Sequence, residues 1–196
     1  MDPIEQKRLR RRDSDAGLRT YQKDLDREVL KRLAERHGHE VPKDRLDAMA
    51  KLHTEFVNRD ELRRRHREVT GTNPSHGTRG FSVGLERPAV VRTDQEPAEV
   101  VETVMHERLH QLSDPRARET MRRKTHEGWT ENFTQHELGR TPRQGDRVAY
   151  PKETMQAELL RNKCGERALR DAYFKGDTRE LKTCLDKLLR NMERKR

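Results

Sequence analysis

The spacing of apolar residues along the chain predicts mostly helix, with a few short strands before the middle. Leu25, Val29, Leu30 and Leu33 recur at three and four, which puts them on one helix face. His37-Gly38-His39 breaks that pattern and Pro42 follows, so residues 1–40 read as a charged helical arm and residues 41–196 as the domain proper. Of two uses for the arm, a partner-binding helix and a solvated extension, the second is the expectation. Leu52–Val57 reads as a strand, and Asn58 as the N-cap of a helix running to about Val69. Residues 70–80 are loop. Phe81–Leu85 and Ala89–Thr93 are short β-type runs, forming a hairpin or neighbouring edge strands.

The clearest element comes next. Val100, Val101, Val104, Met105, Leu109 and Leu112 mark an amphipathic helix that ends near Ser113-Asp114-Pro115. Thr93 and Glu96 have the spacing of a capping box, and Pro97 suits the first turn. A second helix is predicted over about 116–138 with an interruption at Gly128, then a loop over 139–151. Pro151 opens a helical C-terminal third. The fold class is α+β: a small, mostly helical domain with a short β-sheet before its best-marked helix.

Composition narrows this. Apolar residues make up 30% of 196, enough for one modest core, and no apolar run reaches the roughly 18–20 residues that span a bilayer. The basic first 30 residues lack an apolar stretch, so no secretory signal is predicted. Forty-four Lys and Arg against 35 Asp and Glu give a net charge of +9, but the signs interleave as on solvated helix faces. With aromatics at 4% there is no evident stacking platform, so nucleic acid is not the favoured partner. Cys164 and Cys184 lack C-x-x-C spacing. Idle thiols in a reducing compartment are the expectation, and a Cys164–Cys184 disulfide requires an oxidising setting.

The chemistry lies in His106-Glu107-Arg108-Leu109-His110, an H-E-x-x-H. Two histidines four apart stand one turn apart on one face, where both imidazoles can bind one Zn²⁺. The Glu beside the first His can take a proton from water on the metal, whose pKa zinc lowers to about 7. A catalytic zinc needs a third protein ligand and an open position. Glu127 follows His110 after sixteen residues, room for a turn and a return helix. Glu127 and Glu131 share one face of that helix, Trp129 and Phe133 another. Glu131 is then placed to take the free N–H of a ligand imidazole.

HERLH followed by HEGWTENFT resembles the gluzincin clan of zinc metallopeptidases, whose aminopeptidases carry H-E-x-x-H and then a block close to N-E-G-[FW]-x-E. The resemblance covers roughly residues 80–140 and implies a zincin-like fold. It implies Zn²⁺ on His106, His110 and Glu127, with Glu107 as base and Glu131 as the residue that orients a ligand. Residues 150–181 look like the helical tail of small bacterial proteins with this core, some of them toxin or effector domains. Two departures stand out. His126 precedes the ligand Glu where Asn, Ser or Thr is usual, and the large accessory domains of the exopeptidases are missing. Aminopeptidase activity is therefore not carried over.

The expected activity is metal-assisted hydrolysis of a peptide bond by a small endopeptidase, acting in the cytoplasm or in a cell to which it is delivered. Its partners are a protein or peptide substrate and a cognate inhibitor or immunity protein. Tyr150, Tyr173, His126 and Arg170 are candidates to stabilise the oxyanion, with Tyr173 first. The strand at Phe81–Leu85 or Ala89–Arg92 offers an edge to which a peptide can add. The alternative is a non-enzymatic basic helical module that binds nucleic acid or a protein through the arm. A third reading is a regulator that keeps the metal without turnover.

Overall fold

The computed structural model describes residues 15–142 and 148–193. In chain order the elements are α1 (Asp15–His37), α2 (Lys43–Lys51), β1 (Glu55–Val57), α3 (Arg59–Thr70), β2 (Gly80–Phe81), β3 (Val90–Arg92), α4 (Pro97–Leu112), α5 (Pro115–Thr120), α6 (Arg123–Glu137), α7 (Pro151–Cys164), α8 (Glu166–Phe174) and α9 (Arg179–Glu193). The chain is mostly helical with a small mixed sheet, which agrees with an α+β class. Its contacts divide it into two compact units. Of the described residues, one unit holds those up to Gly38 together with Lys43–Gln111, and the other holds His39–Pro42 and those from Leu112 on.

In the first unit the sheet order is β1-β3-β2, with β1 parallel and β2 antiparallel to β3. The register pairs Val90 with both Glu55 and Phe81, and Val91 with Phe56 and Gly80. Paired residues share a face, so Glu55, Val57, Val90 and Phe81 look one way and Phe56, Val91 and Gly80 the other. The first face packs on Leu62 of α3. The second meets α4 at Gly80, where a Cβ would lie 2.7 Å from Thr103 Cγ2 and 3.1 Å from Glu107 Cγ. Only a residue without a side chain allows that approach. Asn58 caps α3 as expected, its Oδ1 accepting from the Glu61 amide at 2.9 Å.

Three details of this unit differ from the sequence expectation. Helix α1 is not a solvated extension: Tyr21, Leu25, Val29 and Leu33 are buried, because its apolar stripe needs a core to face. The basic cluster Arg8–Arg12 at the start of the expected arm lies outside the described residues. The Thr93 hydroxyl donates to the Val57 carbonyl at 3.3 Å, closing the end of the sheet, so the helix opens at Pro97 without the expected capping box. Finally, β3 is the central strand with Val90 and Val91 buried, so Ala89–Arg92 offers no edge, and among the described residues β2, like β1, is an edge strand.

The second unit is helical. Phe133 lies with its ring centroid 4.9 Å from that of Tyr173 and 5.2 Å from that of Phe174, and Trp129 is buried, so the aromatic face expected for α6 is a core face. The expected break at Gly128 falls instead at Met121–Arg122, between α5 and α6. Gly128 is inside α6 because α7 crosses it: a Cβ there would lie 2.3 Å from Glu153 Cβ. Cys164 at the end of α7 and Cys184 of α9 are joined as a disulfide, against the expectation of idle thiols. Their Cα atoms lie 5.6 Å apart, within the usual reach of a bridge. Among the described residues no helix is long and apolar enough to cross a membrane.

Candidate metal centre

Helix α4 presents two opposed faces. Val104, Met105, Leu109 and Leu112 are fully buried. His106 and His110 stand beside that stripe, with Nε2 atoms 3.1 Å apart and rings at 76°. Two imidazole nitrogens on one tetrahedral zinc, each at about 2.0–2.1 Å, are separated by about 3.3 Å. The observed spacing is close to that value. Glu127 brings a carboxylate oxygen to the same place: the ligand atoms of His106, His110 and Glu127 all lie within 4.8 Å of one another. None of the three side chains is exposed. Two imidazoles and one carboxylate form a mixed nitrogen and oxygen donor set. This cluster can hold a metal ion.

Glu107 is buried, with its Cγ against Gly80 of the edge strand. Its backbone carbonyl accepts from Ser82 Oγ at 3.2 Å. The expected base thus lies beside the strand to which a peptide could add.

The other side of α4 is anchored by residues outside the predicted site. Arg108 is wholly buried and forks onto Asp26 of α1 through Nε and Nη2, at 2.8 to 3.0 Å. Arg108 Nη1 donates to Gln111 Oε1 at 2.8 Å, and Gln111 Nε2 donates to the carbonyls of Gly84 and Arg87. Asp26 also accepts from the Thr54 hydroxyl and amide. The signal was present in the sequence. Arg108 stands one turn after Val104 and one turn before Leu112, inside the apolar stripe, and a charge there must be paired.

Helix α6 is fixed equally firmly within its own unit. His126 Nε2 lies 3.2 Å from Ser113 Oγ, and its ring stacks on Tyr173 at 5.3 Å. Glu131 is buried, and its Oε1 accepts from Gln135 Nε2 at 2.8 Å. Tyr173, the first candidate for the oxyanion, is wholly buried with its hydroxyl 2.6 Å from Thr130 Oγ1. Burial pushes its phenol well above the usual range, the Thr130 bond opposes this, and the Glu127 carboxylate adds to the rise. That is the place of a core residue that supports α6, not of a group facing substrate. Of the other candidates, Arg170 is taken by an ion pair to Glu40 at 2.7 Å, and Tyr150 holds a left-handed backbone (φ 52°) at the start of α7.

A further polar group stands between α6 and α7. Asn132 donates to Glu158 at 2.8 Å, His136 Nε2 lies 2.7 Å from the same carboxylate oxygen, and Arg161 donates to Asn132 Oδ1 at 2.9 Å. The Arg161 guanidinium also lies over the Phe133 ring at 5.0 Å. This network braces the helix that carries Glu127.

No protein-family model matches this chain, and neither a curated protein nor a solved structure matches it.

Proposed function

We propose that this protein is a small zinc-dependent endopeptidase. The observation that carries the reading is the donor set of His106, His110 and Glu127, gathered within 4.8 Å by an H-E-x-x-H helix and a downstream glutamate. A zinc ion there supplies a Lewis acid for the scissile carbonyl and acidifies water. Glu107 takes the proton of the attacking water and hands it to the leaving amine as the carbon–nitrogen bond breaks. Glu131 is the carboxylate that orients a ligand imidazole. The substrate is an extended peptide that adds to the outer side of β2, where Gly80 leaves its backbone next to Glu107.

The reading extends to a toxin or effector delivered into a target cell, with a cognate inhibitor or immunity protein as its second partner. The Cys164–Cys184 disulfide supports passage through an oxidising setting, where such bonds form and persist. The alternative is a non-enzymatic basic helical module, and in it the apolar stripe of α1, being buried, is not the surface that meets a partner.

The test pairs metal analysis with a search for new N-termini in cells that express the chain. The wild type should hold about one zinc per chain and generate new termini. Glu107→Gln should keep the zinc and lose about 10²–10⁴-fold in turnover. Normal turnover by that variant would overturn the mechanism.

A further inference from the structure

A groove of about 220 Å³ lies on the face of the sheet that looks away from α4. Its apolar lining includes Phe81, Val83 and Val90, and its charged lining is Arg64, Arg65 and Arg87 together with Glu55 and Glu68. A cavity of about 150 Å³ takes up benzene, so this groove has room for one large aliphatic side chain. Val83, one of its lining residues, is 42% exposed.

The groove adjoins the outer side of β2, where among the described residues no further strand pairs. Successive residues of an added strand point to opposite faces. A peptide on β2 therefore sends alternate side chains toward Glu107, on the Gly80 face, and the others into the groove, on the Phe81 face. Charge specifies one of the latter. Arg64 is bonded to Glu61 and Glu68, and Arg65 to Glu61 and Glu55. Arg87 makes no ion pair among the described residues, lines the groove and is exposed. It is the guanidinium left to meet an incoming carboxylate.

We infer that the groove is a specificity subsite, taking a large aliphatic side chain of the substrate, with Arg87 receiving an acidic residue two positions away on the same face. This rests on the peptidase reading for the identity of the strand, and it names the substrate class: extended segments with an aliphatic residue, any residue, then an acid.

The test reads binding without turnover. Zinc-loaded Glu107→Gln chain is titrated with capped hexapeptides while the valine methyl resonances are followed by NMR. The first peptide has leucine third and glutamate fifth, the second has serine third, and the third has lysine fifth. The first should shift the Val83 and Val90 methyls and bind at least 10-fold more tightly than the second and about 3-fold more tightly than the third. Val83→Glu should lose the preference for leucine, and Arg87→Glu should reverse the order of glutamate and lysine. Equal binding of the first two peptides, no methyl shift at millimolar peptide, or preferences unmoved by both substitutions would overturn the subsite. Selective binding by a chain whose wild type never cleaves removes the peptidase reading and keeps the groove. Cleavage without this selectivity does the reverse.

Discussion

Arg108, inside the H-E-x-x-H pentad, and Asp26, 82 residues earlier, form a fork with 0% and 5% side-chain exposure. The fork ties α1 to the helix that carries both histidines, and through Gln111 it reaches the loop after the edge strand. Two of the four backbone and side-chain donors on Asp26 come from Thr54. The pair is therefore desolvated and hydrogen-bonded, the condition under which losing one partner is severe.

Asp26→Ala should lower the unfolding free energy by about 3–5 kcal/mol, because it strands a buried guanidinium. Replacing both partners, as Asp26→Leu with Arg108→Met, should recover most of that loss. Urea unfolding of the two single variants and the double variant measures the coupling. A single-variant loss under 1 kcal/mol, roughly the value of a surface pair, would show that the fork is solvated in solution.

How much of this was legible beforehand follows from the kind of signal each feature leaves. Helix α4, the N-cap at Asn58, Pro151 at the start of α7 and the His106–His110 pair rest on local spacing, and local spacing is what a sequence displays. Asp26 and Arg108 were legible only in part. Each sits in an apolar stripe and so requires a partner, but nothing local says which residue 82 positions away supplies it. That the break lies at Met121 and not at Gly128 has a related cause. A glycine inside a helical pattern signals either a break or a close crossing, and the Glu153 backbone that decides between them lies on another helix. Tyr173 carries the chemistry of an oxyanion donor, but its burial is set by Phe133, Phe174 and Thr130, which tertiary packing alone brings together.

Removing a ligand should empty the metal centre. His110→Ala should bring zinc from about one per chain to near zero by atomic absorption, with helix content kept, because the Leu109 side of α4 remains buried. The wild type should gain thermal stability with added zinc and lose it with a chelator. At a thousandfold excess over the dissociation constant the linkage amounts to about 4 kcal/mol. A variant that retains stoichiometric zinc would move the site elsewhere.

The disulfide should stabilise the helical second unit through its unfolded chain. Cys164 and Cys184 are 20 residues apart, and closing a loop of that size contributes about 3 kcal/mol in the chain-entropy description. Cys184→Ser, or wild type with reductant, should therefore unfold at lower denaturant than the oxidised wild type, with α7 and α9 first to exchange their amides. Identical midpoints with and without reductant would remove the bridge from any role in stability.

Glu158 should make the second unit acid-sensitive. Burial pushes its carboxyl up, but the bonds from His136 and Asn132 and the charge of Arg161 push it down further, and the net position is below the ordinary glutamate value. A group whose folded value is depressed stabilises the fold in full above its unfolded value, near 4.3, and loses that contribution as the pH falls through the lower, folded one. Denaturant midpoints should thus drop as the pH falls below about 4.3 and the carboxylate takes a proton. Once it does, the acceptor shared by Asn132 and His136 loses its charge. Glu158→Gln should start from a lower stability at pH 7, because His136 no longer faces a carboxylate, and should show a shallower acid decline. Hydrogen exchange in α6 and α7 locates the effect. An acid limb of equal slope in variant and wild type would assign the transition to other carboxylates and leave the brace on Glu127's helix without a part in it.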